Sequence, residues 1–268
     1  WEWVFRHVLI QEVAYTTGPK QTRRQIDQQV AAALETQLDE HTSFLLPLIA
    51  YHFEEGDVPD KAIEYLSRAG EQAAGQFANE EAIGYFSRAL ALLDKIAGKG
   101  ELTETEQSHQ YRLLRDRAEV YHLTGRRTAQ KTDLDVLQEL ADSDGRRAEV
   151  ALKFAAYYQA ISDFPTAVMQ AKTAVAHADQ SANTRQKIEG LNAWASDLLN
   201  ESISLVRLGI VAYYRGDNHA ARDRYEAALT RARQLGNLQR QAASLINLVA
   251  VYHGLGDLGN ARSAGEEA

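Results

Sequence analysis

Leu205-Val206-Arg207-Leu208-Gly209 is followed by Tyr213-Tyr214, then by Gly216-Asp217-Asn218, and then by Ala221, Tyr225 and Ala228. The order of residue types predicts two helices joined by a tight turn. Small residues (Gly209, Ala221, Ala228) let the helices approach closely, while Tyr225 and Leu208 fill the gaps between successive pairs. Gly216 ends the first helix at positive φ, and Asp217 caps the second.

The phrase recurs on both sides. Forty residues on stand Leu245, Leu248, Tyr252, Gly256-Asp257-Leu258, Ala261 and Ala268. Upstream, Phe154, Tyr158, Ser162-Asp163-Phe164, Ala167, Ala171 and Ala174 fit, as do Gly70, Asn79, Ala82, Phe86 and Ala89. A weaker copy runs through Leu114, Ala118, Tyr121, Gly125 and Leu134. The surroundings are helical throughout. Four prolines stand at 19, 47, 59 and 165, leaving long proline-free stretches, and alternating strand-like runs are nearly absent. Asn79 before Glu80-Glu81, Thr103 with Glu106, and Asp163 before Pro165 read as helix starts. Gly56, Gly98 to Gly100, Gly125, Ser143 to Gly145, Gly216, Gly236 and Gly256 read as stops.

This pattern resembles the tetratricopeptide repeat. The resemblance implies an all-α fold, a right-handed α-solenoid of stacked antiparallel helix pairs, over residues 41–268, with about five irregular repeats and the last one truncated. Equivalent turns at Phe77, Gly125, Ser162, Gly216 and Gly256 lie 48, 37, 54 and 40 residues apart, against about 34 in the family. The widest gap holds Ser181 to Asn200, which reads as a lengthened helix carrying Trp194. The register between 97 and 145 stays open.

Residues 1–40 read differently. Trp3-Val4-Phe5-Arg6-His7-Val8-Leu9-Ile10-Gln11-Glu12-Val13-Ala14-Tyr15 resembles the segment that closes the ATPase half of STAND-type signalling regulators, a group that includes ATPase modules fused to class III adenylyl or guanylyl cyclase domains. Arg23-Arg24-Gln25-Ile26 through Ala33-Leu34-Glu35 looks like that family's linking helix. The resemblance implies the end of an upstream helical or winged module, with any nucleotide site outside this chain. Trp1, with neither an initiator Met nor a leader before it, fits an excised segment.

The chain of 268 residues carries 37 acidic and 29 basic side chains, a net charge of −8, and no cysteine. That excludes disulfides, zinc-thiolate sites and thiol nucleophiles, and points to a cytoplasmic setting. The acidic balance argues against nucleic acid as partner, and the longest apolar run, Phe44 to Tyr51, is too short to span a membrane. No phosphate loop is found, since Lys99 in Ala97-Gly98-Lys99-Gly100 is followed by glycine. Eight dispersed histidines lack helical zinc spacing, and adjacent acids such as Glu80-Glu81 diverge around a helix. No catalytic residue, cofactor or metal site is expected, so the chain reads as a non-enzyme.

What remains is a binding surface. First helices of tetratricopeptide pairs line a concave wall. That places Ile203, Val206, Ile210, Tyr213 and Tyr214 on the groove, with Glu149, Leu152, Ala156 and Gln159 before them and Ala243, Ile246, Ala250 and His253 after. His122 and His253 are further candidates for ligand contact. The expected partner is a protein or peptide helix, or another domain of the same parent chain. An extra helix formed by the Ser181 to Asn200 insertion is an equal candidate to cover the patch.

Overall fold

In a computed structural model, residues 17–39, 42–98 and 100–268 are described, and among them every regular element is helical. The chain divides into two compact units, Trp1–Leu140 and Ala141–Ala268. In the first, α1 (Lys20–Glu35), α2 (Leu46–Glu55), α3 (Pro59–Gly75), α4 (Asn79–Ala97), α5 (Glu104–Thr124) and α6 (Arg127–Leu140) each pack on the next. In the second, α7 (Asp144–Ala160), α8 (Phe164–Gln180), α9 (Thr184–Tyr214), α10 (Asn218–Gln234), α11 (Leu238–Leu255) and α12 (Leu258–Glu267) do the same. Consecutive antiparallel packing of this kind is the local arrangement of an all-α, tetratricopeptide-like solenoid.

The turns explain the pairing. The five equivalent turn residues all have positive φ: Phe77 at 60°, Gly125 at 72°, Ser162 at 64°, Gly216 at 80° and Gly256 at 75°. Asp163, Asp217 and Asp257 follow three of them, and their side chains accept the backbone N–H of Thr166, Ala220 and Asn260. The same device joins successive pairs at Ala182-Asn183 and Gly236-Asn237, where the asparagines accept from Gln186 and Arg240. Thr103 and Glu106 form the expected capping box. Asn79, expected to cap α4, is instead its first helical residue, behind Ala78, and makes no cap bond. Phe77-Ala78-Asn79 aligns with Gly216-Asp217-Asn218, so the capping position is held by alanine.

Helix approach within a pair is set by one recurring contact. An added Cβ on Gly70 of α3 would lie 2.4 Å from the Phe86 ring of α4, and one on Gly209 of α9 would lie 2.6 Å from the Tyr225 ring of α10. The two residues stand sixteen apart in both pairs. In the last pair the sizes are exchanged, with Val249 on α11 facing Gly265 on α12. Small against large is therefore conserved as a volume, not as a residue. Leu208, expected to fill the gap between pairs, does not: it is 52% exposed.

Polar groups tie the helices of the first unit together. Asp27 is buried on α1 and lies 2.8 Å from His52 Nδ1 on α2. Hydrogen bonds from Lys61 and Tyr65 hold the Glu35 carboxyl below the usual carboxylate range. Arg117 on α5 reaches buried Asp133 on α6 through two bonds of 2.9 and 2.7 Å, and Ser87 Oγ on α4 at 2.9 Å.

Candidate functional site

The predicted groove residues lie in the second unit, on the first helices of its last two pairs. Their exposure follows from what α9 and α11 bury. Along α9, Ser202 and Gly209 turn toward α10, where Ser202 Oγ donates to the Ala228 carbonyl. Along α11, Leu245, Leu248 and Val251 join Ala221, Tyr225 and Leu229 in one apolar cluster. At 100° per residue, Ile246 stands nearly opposite the middle of the buried face of α11, Tyr214 points about 140° away from Gly209, and Ile210 about 100° away.

Ile210, Tyr213 and Tyr214 are exposed by 39, 40 and 84%, and Ile246 by 62%. The rings of Tyr213 and Tyr214 meet edge to face at 5.9 Å between centroids. His253 is exposed as well. Ile203 and Val206 are half-buried, and Val206 packs against the apolar cluster, so these two give less to the surface. α9 and α11 touch directly, which brings the two exposed sets side by side. The preceding pair offers less: Leu152, Ala156 and Gln159 on α7 are half-buried. His122 is engaged within its own unit, with Arg127 and Gln130 at 3.2 and 3.3 Å from its Nδ1.

The insertion does not cover this surface. Residues 184–200 are the first half of the single 31-residue helix α9, packed on α8 and α7. Gln186 Nε2 donates to the Gly145 carbonyl at 3.0 Å, Lys187 pairs with Asp179 at 2.6 Å, and Lys172 stands 5.0 Å over the Trp194 ring. With no break between 200 and 205, no separate covering helix forms from it.

That half of α9 carries a polar group the sequence did not single out. Asp197 is 2% exposed, its Oδ2 has no hydrogen-bond partner, and Trp194 Nε1 one turn earlier has none either. Burial pushes the Asp197 carboxyl up to about 6. A carboxyl with a raised folded-state pKa favours the fold when protonated. That contribution is full below about pH 4 and is lost as the pH rises through about 6. Asp197→Asn is therefore expected to stabilise the protein more at pH 8 than at pH 4, the difference being on the order of 1–3 kcal/mol in urea denaturation.

Several arginines in the basic stretches of the chain are paired with acids. Arg24 pairs with Asp57 at 2.7 Å, Arg126 with Glu80, Arg222 with Asp223 at 2.7 Å, Arg231 with Glu201 at 2.5 Å, and Arg233 with Glu267. Among the described residues no group of three His, Asp or Glu could hold a metal ion, and no helix is long and apolar enough to cross a membrane.

Residues 200–268 match the family model described as tetratricopeptide repeat. No curated protein matches the chain. Among solved structures it is similar to the crystal structure of BtubC (BKLC) from P. vanneervenii, at 17% identity over 89% of this chain and 87% of that one, with a TM-score of 0.39. A likeness of that degree carries no argument about function. The described chain is thus an all-α array of helix pairs, of which residues 200–268, from the second half of α9 through α12, match the tetratricopeptide repeat.

Proposed function

We propose that this chain is a non-catalytic, cytoplasmic protein-interaction scaffold that holds a partner segment against α9 and α11. The observation that carries the reading is the exposed apolar set Ile210, Tyr213, Tyr214 and Ile246 on two adjacent first helices. Large aromatic and aliphatic side chains left in water on a rigid wall are the material of binding hot spots, each worth about 2 kcal/mol or more when covered. A partner helix with apolar residues on one face suits them. Its source is a separate protein or another domain of the parent chain.

Tyr214→Ala and Ile246→Asp touch only exposed positions, so the helical far-UV signal is expected to persist. Each is expected to weaken binding of a partner isolated with the wild-type protein by about tenfold or more, read by calorimetric titration. A partner that binds both variants with wild-type affinity rejects the groove.

The parent protein on this reading is a STAND-type signalling ATPase, in which partner binding to the array is relayed to an upstream nucleotide module. Support comes from the phrase at residues 3–15, which lies outside the described residues, followed by the helix α1 over the stretch that resembles the family's linking helix. A native reading frame without an ATPase module upstream of Trp3 overturns this part and leaves a free-standing adaptor.

A further inference from the structure

α9 outruns its neighbours. It has 31 residues, against 17 in α8 before it and 17 in α10 after it. The cross-links fix how they align. On the preceding side, Asp179 meets Lys187, Lys172 meets Trp194, and Gln159 at the end of α7 meets Ser196 at 3.4 Å. On the following side, Arg231 meets Glu201, and Tyr225 meets Gly209. α8 and α7 therefore reach only to about residue 200. The last 14 residues of α9, about 21 Å of helix, have α10 and α11 on one side and, among the described residues, no preceding helix packed on the other.

The face left open is the one a preceding pair would cover. Leu208 and Val211 lie on it, 52 and 46% exposed, which is why a position expected in the core is found in water. This face adjoins the groove without coinciding with it: Leu208 and Ile210 point about 200° apart around the helix, and Val211 and Tyr214, about 60° apart, mark the border. Where α8 begins, the step makes a cavity of about 460 Å³ lined by Phe164, Pro165, Leu205, Leu208, Arg207 and Arg224.

The charge on this face is one-sided. Glu201 also borders the cavity, but it is held by Arg231 through bonds of 2.5 and 3.1 Å. Of the eleven arginines in the second unit, Arg207, Arg215, Arg224 and Arg240 make no ion pair among the described residues. The first three flank Leu208 and Val211: Arg207 on one edge, Arg224 from α10 on the other, and Arg215 two turns on. An isologous contact with a second copy would set these cations against themselves, so the face is not self-complementary.

We infer that the open flank of α9 is a second docking site, and that its occupant is an acidic amphipathic helix of another protein. The occupant runs along residues 201–215 for about four turns, with apolar side chains on Phe164, Leu208 and Val211 and carboxylates facing Arg207, Arg215 and Arg224.

The test uses a fluorescein-labelled helical peptide of about 15 residues, with leucines at i, i+4 and i+7 flanked by glutamates, and a twin with lysines for the glutamates. Fluorescence anisotropy is expected to show the acidic peptide binding the full chain at least about tenfold more tightly than its twin, and more weakly at higher salt. Arg207→Glu/Arg224→Glu and Leu208→Asp, all at exposed positions, each lower the affinity about tenfold, while Ile246→Asp in the groove leaves it unchanged. Absence of binding, equal binding of the two peptides, or wild-type affinity in the double arginine variant overturns the assignment. So does sedimentation showing a dimer that Leu208→Asp dissociates, which gives the face to a second copy.

Discussion

Arg117→Ala is expected to lower the unfolding free energy by about 3–5 kcal/mol, the cost of leaving a buried carboxylate without its counter-charge. The Asp133 side chain is 4% exposed and that of Arg117 18%, so water replaces little of the lost interaction. Burial works against the guanidinium charge, but the hydrogen bonds and charge of Asp133 outweigh it, and the Arg117 pKa lies above its ordinary value. The pair joins α5 to α6, and the third bond, to Ser87, reaches back to α4. Loss of the arginine thus loosens two helix contacts at once. Urea denaturation followed by circular dichroism measures the loss. Arg117→Met/Asp133→Leu removes both charges and is expected to recover most of it, because no buried ion is then unpaired. A double variant as unstable as Arg117→Ala would place the effect in packing instead.

That pair marks the limit of what the sequence makes legible. The helix order and the five turns follow from local rules: glycine or a tolerated residue at positive φ, followed at three of the turns by a capping acid, each acting within four residues. Hence Gly216-Asp217 and Gly256-Asp257 are visible in the sequence, and the less obvious Phe77 and Ser162 can be placed by alignment with them. Arg117 and Asp133 have no such signature. Sixteen residues apart, each looks like any charge on a mixed helix until the two helices are packed. Leu208 fails for a related reason. Its residue type matches the core position of the repeat, but its burial depends on a preceding helix that the length of α9 leaves behind. The residues expected on the groove stand between these cases: Ile210, Tyr214 and Ile246 are exposed, while Val206 is drawn inward by the cluster it touches.

Gly209→Val is expected to cost about 2–3 kcal/mol, although valine is at least as good a helix former as glycine. The Cβ it adds would stand 2.6, 2.8 and 2.9 Å from Cε1, Cδ1 and Cζ of Tyr225, a ring only 2% exposed and closed in by the apolar cluster around it. Neither helix can withdraw without opening the contacts of Ser202 and Glu201 further along the same interface. Gly84 on α4, where an added Cβ meets nothing within 4 Å, serves as the control, and Gly84→Val is expected to be neutral to slightly stabilising. The stronger test is compensation. Tyr225→Ala alone opens a cavity and is expected to cost about 3–5 kcal/mol. In Gly209→Val/Tyr225→Ala the valine enters the space the ring has left, so the loss falls short of the summed single losses by about 0.5–3 kcal/mol. The last pair already has this arrangement, with Val249 facing Gly265. Strict additivity in denaturant titrations would mean that Gly209 and Tyr225 do not set the approach of α9 to α10, and that the recurrence of Gly70 against Phe86 has another cause.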